Sequence, residues 1–366
     1  MKMSEGRQLK EKLREKKEAL IKLLPLISFI IPFLILYLKQ DVAFPYSFEA
    51  TWKGRAFYIF FIWFAILETI ISWEKLHPKA FKNPRSIRTI ALILALLLPT
   101  IYVIVSNFRG LNDLIYKWTK ENYMAQKTEL PEKDKQFFAG MMPLSIEYLT
   151  FAACSFLIIF LQYGFDGFRK LLLAPTFLAA MGIIYTIDNL YPYGQFVPLQ
   201  LPAAATATFA QMILNLMGYQ TSMTYETTPR YGWTPILEVR DSQNQLISTR
   251  LGIAWPCSGV ESLIIYTLFM LIFLRELGIS RIRKIIYFVI GAIITYFINV
   301  GRIIALFIIA INFGVNSLEF SRFHDFYAQL ISISWIALYP LLIMMGGDAL
   351  HRIRCFVKSL NMRLFS

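Results

Sequence analysis

Long apolar runs separated by short basic segments dominate the chain. Seven runs approach the roughly 20 residues a helix needs to cross a bilayer: 21–39, 56–73, 88–106, 144–163, 170–188, 258–274 and 285–308. An eighth, 325–345, carries Ser and Gln but stays mainly apolar. A further run, 199–218 (LQLPAAATATFAQMILNLMG), is rich in Ala and Thr and interrupted by Gln211 and Asn215. The pattern predicts an all-α polytopic membrane protein. Its membrane domain is expected over 21–345, between a basic tail at 1–20 and another at 346–366.

Charge sets the direction of the runs. Short cytoplasmic loops carry an excess of Lys and Arg. The N-terminal stretch holds eight Lys or Arg through residue 22. Further basic residues fall at 75–88, at Arg169 and Lys170, at 275–284 and at 352–363. All of these should lie inside. Run 170–188 then exits and run 258–274 must enter, so 199–218 cannot cross. The expectation is about eight transmembrane helices, with 199–218 re-entrant or interfacial. Irregular backbone at membrane depth is tolerated where protein covers it or it lines a wet cavity. The N-terminus has no small-residue cleavage site after its first apolar run and reads as a retained cytoplasmic tail.

Two outer segments remain. Residues 107–143 are mixed in charge and predict one or two amphipathic helices. Residues 219–256 contain PILEVRDSQNQLISTRL, two short strands around a polar turn, hence a small extracytoplasmic β-hairpin.

Composition agrees with this class. The chain has 366 residues, of which 56% are hydrophobic and 17% charged, below the roughly 25% of soluble domains. The net charge of +13 is gathered in the loops rather than on a nucleic-acid face, so no nucleic acid is expected as a partner. The abundant aromatics read as lipid-facing or interfacial. Cys154, Cys257 and Cys355 share no metal spacing and form no disulfide framework. Neither a cofactor fingerprint nor a metal cluster is evident.

Three residues carry candidate chemistry. Cys257 sits in AWPCSGVESL, where a loop gives way to an apolar run. Ser258-Gly-Val-Glu261 matches a capping box, so Ser258 and Glu261 are expected to cap the helix. Beside a helix start, partial positive charge favours a thiolate; the alternative is a small apolar loop residue. Arg302 lies inside a long apolar run, and an arginine there is costly unless it faces a partner or a wet cavity. Asn299 shares its helix face. If that helix starts near residue 285, Arg302 lies about 26 Å along it at 1.5 Å per residue, near the outer boundary. Snorkelling to outer headgroups is the other reading. His324, beside Asp325, stands at an outer helix start; it is alternatively a solvated loop histidine. His77 and His351 fall in basic inner segments. Glu68 is an acid alone near the inner end of its run.

The three residues open or end consecutive runs on one side. A cysteine and a base within hydrogen-bond reach form a nucleophilic pair. An arginine can hold an oxyanion or a carboxylate. Cysteine-based acyl transfer at the outer face is the expectation, with the catalytic core at 254–345.

These residues also carry a resemblance. P-C-S-G-V-E-S-L at 256–263, N-V-G-R at 299–302 and His324, together with the pattern of spans, resemble the exosortase/archaeosortase family of integral-membrane cysteine transpeptidases. The likeness covers mainly 254–340. The segment after His324, DFYAQLISISW, departs from the family in lacking a glycine. Some archaeal members use an arginine where others use histidine, which leaves Arg322 as the alternative to His324. The resemblance implies protein substrates with a C-terminal sorting signal made of a short motif, a transmembrane helix and a basic tail. It implies a thioester on Cys257 resolved by an amine acceptor, with a membrane lipid as the acceptor. Arg302 would orient the substrate and stabilise the oxyanion, His324 would serve as base and then acid, and Asn299 would position Arg302 or donate a hydrogen bond. The site would face the extracytoplasmic side of the cell membrane. A transporter binding an anion at Arg302 and a non-catalytic assembly factor are the competing readings. The transporter predicts polar groups along a path across the membrane, whereas here they gather at one end. The assembly factor would tolerate alanine at Cys257.

Overall fold

The computed structural model describes residues 2–38, 52–81, 85–128, 130–191, 197–228, 232–240, 248–328, 330–332 and 334–345. Cys355 and His351 fall outside these residues. The chain is mostly helical with one small sheet and divides into two compact units, Met1–Pro192 and Tyr193–Ser366.

In the first unit, α1 (Lys2–Ile27) runs from the charged stretch straight into the first apolar run. A 42° bend separates it from α2 (Ile30–Leu38). Four more long or amphipathic segments follow: α3 (Trp52–Ser72), α4 (Ile87–Phe108), α5 (Leu111–Thr119) and α6 (Glu132–Phe168). The Ser86 hydroxyl caps α4 by accepting from Thr89 N at 3.2 Å. The helix expected at 144–163 begins twelve residues earlier, so α6 is 37 residues long and absorbs the end of the outer segment. Gly164, at φ 69°, kinks it. α7 (Leu173–Leu190) closes the unit.

Two expectations change here. Many aromatics are interior rather than lipid-facing: Phe29, Phe33, Tyr58, Phe61, Tyr148 and Phe151 are buried and meet largely edge-to-face. Such ring pairs add about 0.5–1.5 kcal/mol each beyond area burial. Glu68 is not alone either. Its carboxylate accepts from Leu173 N and Ala174 N, both at 3.0 Å, and caps α7. A carboxylate there satisfies orphan amides and meets the positive end of the helix dipole. A second buried acid, Glu147 on α6, lies in the apolar run 144–163 and accepts from the Tyr58 hydroxyl.

The second unit begins with α8 (Val197–Leu216), which is the weak Ala/Thr run. β1 (Gln220–Thr228), β2 (Gly232–Arg240) and β3 (Ser248–Gly252) follow as one antiparallel sheet in the order β1-β2-β3. The expected hairpin is β2–β3, paired Arg240 with Ser248 through Ile236 with Gly252. β1 is additional. Its alternation is masked by Thr and Glu, and it pairs along its full length with β2. Ala203, Ala207 and Ala210 recur on one face of α8 and are fully buried against Leu237, Val239 and Val300. Small side chains let a helix approach its neighbours closely.

α9 (Val260–Glu276) and α10 (Arg281–Phe313) form an antiparallel pair, joined at their basic end by Lys284 Nζ donating to Arg275 O at 3.2 Å. After α11 (Leu318–Arg322) and a π-turn at Phe323–Tyr327, the shorter apolar helix α12 (Leu330–Met345) returns along α10. Three side-chain bonds align α12 with α10. Tyr339 Oη donates to Tyr287 O (2.7 Å), Trp335 Nε1 to Thr295 Oγ1 (3.1 Å), and Arg302 Nη1 to Ser332 Oγ (3.2 Å). Tyr266 of α9 donates to Phe288 O at 2.8 Å. Gly291 makes room there, since a Cβ would overlap the rings of Tyr266 and Tyr339.

Helices lie at all eight of the expected runs. Among the described residues, five are long and apolar enough to cross a membrane: α3, α4, α6, α7 and α10. The bent pair α1–α2 makes a sixth. α9 has 17 residues and α12 is shorter still, so the expected eight is not reached on length and composition.

Candidate active site

The turn bearing Cys257 is built from the second unit alone. Residues Trp255–Ser258 make one 3₁₀ turn, with Cys257 N donating to Ala254 O at 3.0 Å. The chain then reverses at Gly259, at φ 91°, and α9 starts at Val260. The capping box is not formed: Gly259 is the N-cap and no side chain caps the helix. Ser258 instead turns back and donates to Trp255 O at 2.6 Å. It is fully buried and commits its hydroxyl to the turn.

Buried polar side chains from two other helices hold this turn. From α8, Gln200 Oε1 accepts from Trp255 N at 3.1 Å, and Thr206 Oγ1 donates to Ser258 O at 3.1 Å. From α10, Asn299 Nδ2 donates to Cys257 O at 3.0 Å. The Asn299 contact depends on Gly259, because a Cβ there would sit 2.8 Å from Asn299 Cγ and 2.9 Å from its Nδ2. The left-handed backbone and the close approach thus require glycine at the same position. The Cys257 thiol is half-buried and packs on the cluster formed by α8, β2 and α10.

Arg302 lies one turn beyond Asn299. Its guanidinium is in electrostatic range of both Cys257 and Glu261. Among the described residues its one hydrogen bond runs to Ser332, and its Nε is buried without a partner. A guanidinium has five donors. Most buried polar groups are satisfied, and one that is not calls for an explanation such as an absent ligand or substrate. Glu261, in the first turn of α9, is also buried. Cys257 and Glu261 therefore both face Arg302 electrostatically, and Asn299 holds the cysteine turn by its carbonyl.

His324 belongs to the π-turn that follows α11. Its ring stacks on Phe320, with centroids 6.1 Å apart and planes 8° from parallel. Phe320 and Phe323 pack on the same hydrophobic cluster that Cys257 touches. π-turns are rare and recur at functional sites. Arg322, in the last turn of α11, is exposed. The side chain of Asp325 lies outside the described residues. No group of three or more His, Cys, Asp or Glu among the described residues could hold a metal.

A family model described as transmembrane exosortase (Exosortase_EpsH) matches residues 52–341, most of the chain. The chain belongs to the transmembrane exosortase family. No curated protein and no solved structure matches it significantly. The match spans both units, from α3 to α12. It agrees with the family resemblance and, with the several apolar helices, gives a multi-pass membrane protein of the exosortase family, consistent with a sorting transpeptidase.

Three residues around Cys257 escaped sequence reasoning. Gln200 and Thr206 lie in a weak apolar run, and nothing in their spacing points to a turn some fifty residues away. Glu261 was visible, but its match to a capping box gave it a purely local role. The better signal was an acid one turn into a membrane helix, across from an arginine in the next.

Proposed function

We propose that Cys257 is the nucleophile of a transpeptidase acting on membrane-anchored proteins at the extracytoplasmic surface. The basic turn at Arg275–Lys284 sets the inside end of α9 and α10. Arg302 lies about 32 Å along α10 from Arg281, at 1.5 Å per residue, on a scale matching the bilayer core of about 30 Å. Cys257 and Arg302 are then at the outer end. The eight-crossing topology, with α8 re-entrant or interfacial, follows from the same charge pattern.

The chemistry proceeds in two displacements. The Cys257 thiolate attacks the carbonyl carbon of the scissile peptide, after His324 has taken the thiol proton. Arg302 donates hydrogen bonds to the oxyanion of the tetrahedral intermediate. The C–N bond then breaks, and His324 returns the proton to the departing amine, which leaves with the substrate's transmembrane tail. The resulting thioester is attacked by an amine acceptor, proposed to be a membrane-lipid amine; His324 takes the amine's proton, the C–S bond breaks and the thiolate departs. Arg322 stays protonated and is a poor base, so His324 is assigned that step. The sheet and α8 would limit water at the thioester and favour the amine over hydrolysis.

The observation that supports this reading most is the buried Arg302 Nε, which has no partner among the described residues, on the guanidinium facing the cysteine turn. A scaffold protein has no use for a buried donor held near a thiol. A transporter would need a path for solute across the membrane, which flux measurements test directly. The test is incubation of the protein in liposomes with a tailed substrate, with and without an amine lipid. The reading expects a tailless product carrying the mass of the added amine. Release of free acid at the same rate in both arms would make the protein a hydrolase. Solute flux without cleavage would make it a transporter.

A further inference from the structure

A cavity lies in the first unit, far in sequence from the cysteine turn. It has a volume of about 400 Å³ and is lined by Arg14, Lys17, Glu18 and Ile21 of α1 and by His77, Pro78, Ala80 and Phe81 of the loop before α4. Clefts for small ligands run from about 300 to 1,000 Å³.

Its walls are anchored. Tyr163 Oη donates to Lys22 O at 2.7 Å, and Gln162 Nε2 donates to Ile21 O. Lys22 Nζ donates to Trp73 O at 3.1 Å. On the loop side, Lys79 N donates to Gln162 O at 2.7 Å, and Phe81 N to the buried Thr89 Oγ1 at 3.2 Å. Phe81 is held at φ 63°, the one positive φ outside glycine among the described residues. A bulky residue there is strained, and such strain persists where its surroundings impose it, often at ligand clamps.

The charges are uneven. Glu18 is neutralised by Lys22, 3.4 Å away. Arg14 and Lys17 have no acidic partner among the described residues, and both are exposed to the cavity mouth. Apart from Glu18 and His77, the rest of the lining is apolar: Ile21, Pro78, Ala80 and Phe81. The cavity also sits where α1 passes from charged to apolar sequence, at the end of the unit richest in Lys and Arg. Two cations without an acidic partner among the described residues, beside apolar side chains at a membrane boundary, complement a phosphodiester joined to acyl chains.

We propose that this cleft binds the headgroup phosphate of an anionic phospholipid from the leaflet that the basic loops face. Arg14 and Lys17 hold the phosphate oxygens, while Ile21 and Phe81 contact the first carbons of the lipid. The proposal does not depend on the acyl-transfer chemistry.

The full-length protein is tested in nanodiscs of phosphatidylcholine with and without phosphatidylglycerol, reading retained lipid by native mass spectrometry. Wild type should retain phosphatidylglycerol. The double variant R14Q/K17Q should lose it roughly tenfold or more, as removal of charge-assisted hydrogen bonds implies. K12Q/K16Q makes the same charge change on α1 outside the cleft and should retain it. Both pairs are exposed, so folding is preserved. Equal losses in the two pairs, or none in R14Q/K17Q, would overturn the site. A third arm adds inorganic phosphate or glycerophosphoglycerol to protein in neutral detergent. Thermal stabilisation there equal to that from phosphatidylglycerol would assign the cleft to a soluble phosphate and overturn the lipid.

Discussion

At the residue scale, position 259 has the least freedom. Its φ of 91° and the approach of Asn299 leave no room for a Cβ. Gly259→Ala is expected to cost about 1–2 kcal/mol for the left-handed backbone alone and more for the displaced Asn299. Thermal unfolding in detergent measures this, and an unchanged midpoint would contradict the described turn. Arg302→Lys keeps the charge but loses the planar fork. If the guanidinium stabilises the oxyanion, turnover should fall on the order of 10²–10³-fold with the protein still folded. Glu261→Gln removes only the charge that faces Arg302. It should slow kcat about tenfold, the size of a 1.4 kcal/mol change, with KM little altered. Unaltered kcat would return Glu261 to a packing role.

At the element scale, α8 links the sheet to the cysteine turn. Gln200→Leu would leave the buried Trp255 amide without its acceptor, at a cost of about 1–3 kcal/mol. It should increase alkylation of Cys257 by a thiol reagent as the turn loosens; protection equal to wild type would count against α8 as its support. Much of the element pattern was legible in the sequence, because hydropathy locates apolar helices and PILEVRDSQNQLISTRL alternates as strands must. What was not legible depended on partners. β1 shows itself only beside β2. The capping box at 258–261 was a correct local pattern, overridden when Ser258 closed the 3₁₀ turn and Gly259 took the cap. Glu68 looked isolated because the amides it caps belong to α7, more than a hundred residues on.

At the scale of the whole molecule, family membership covers α3 to α12, while the residues proposed for chemistry all lie after 254. Cys257, Asn299 and Arg302 were legible because each is chemically out of place in apolar sequence. Their support was hidden, since Gln200 and Thr206 are ordinary polar residues whose contacts exist only in three dimensions. The most direct measurement is the intact mass of the protein quenched during turnover of a tailed substrate. A thioester-linked mass equal to the substrate's N-terminal portion is predicted on the peptide containing Cys257, lost on hydroxylamine treatment and absent from Cys257→Ala. Cleaved product without that adduct, or wild-type turnover by Cys257→Ala, would contradict the account.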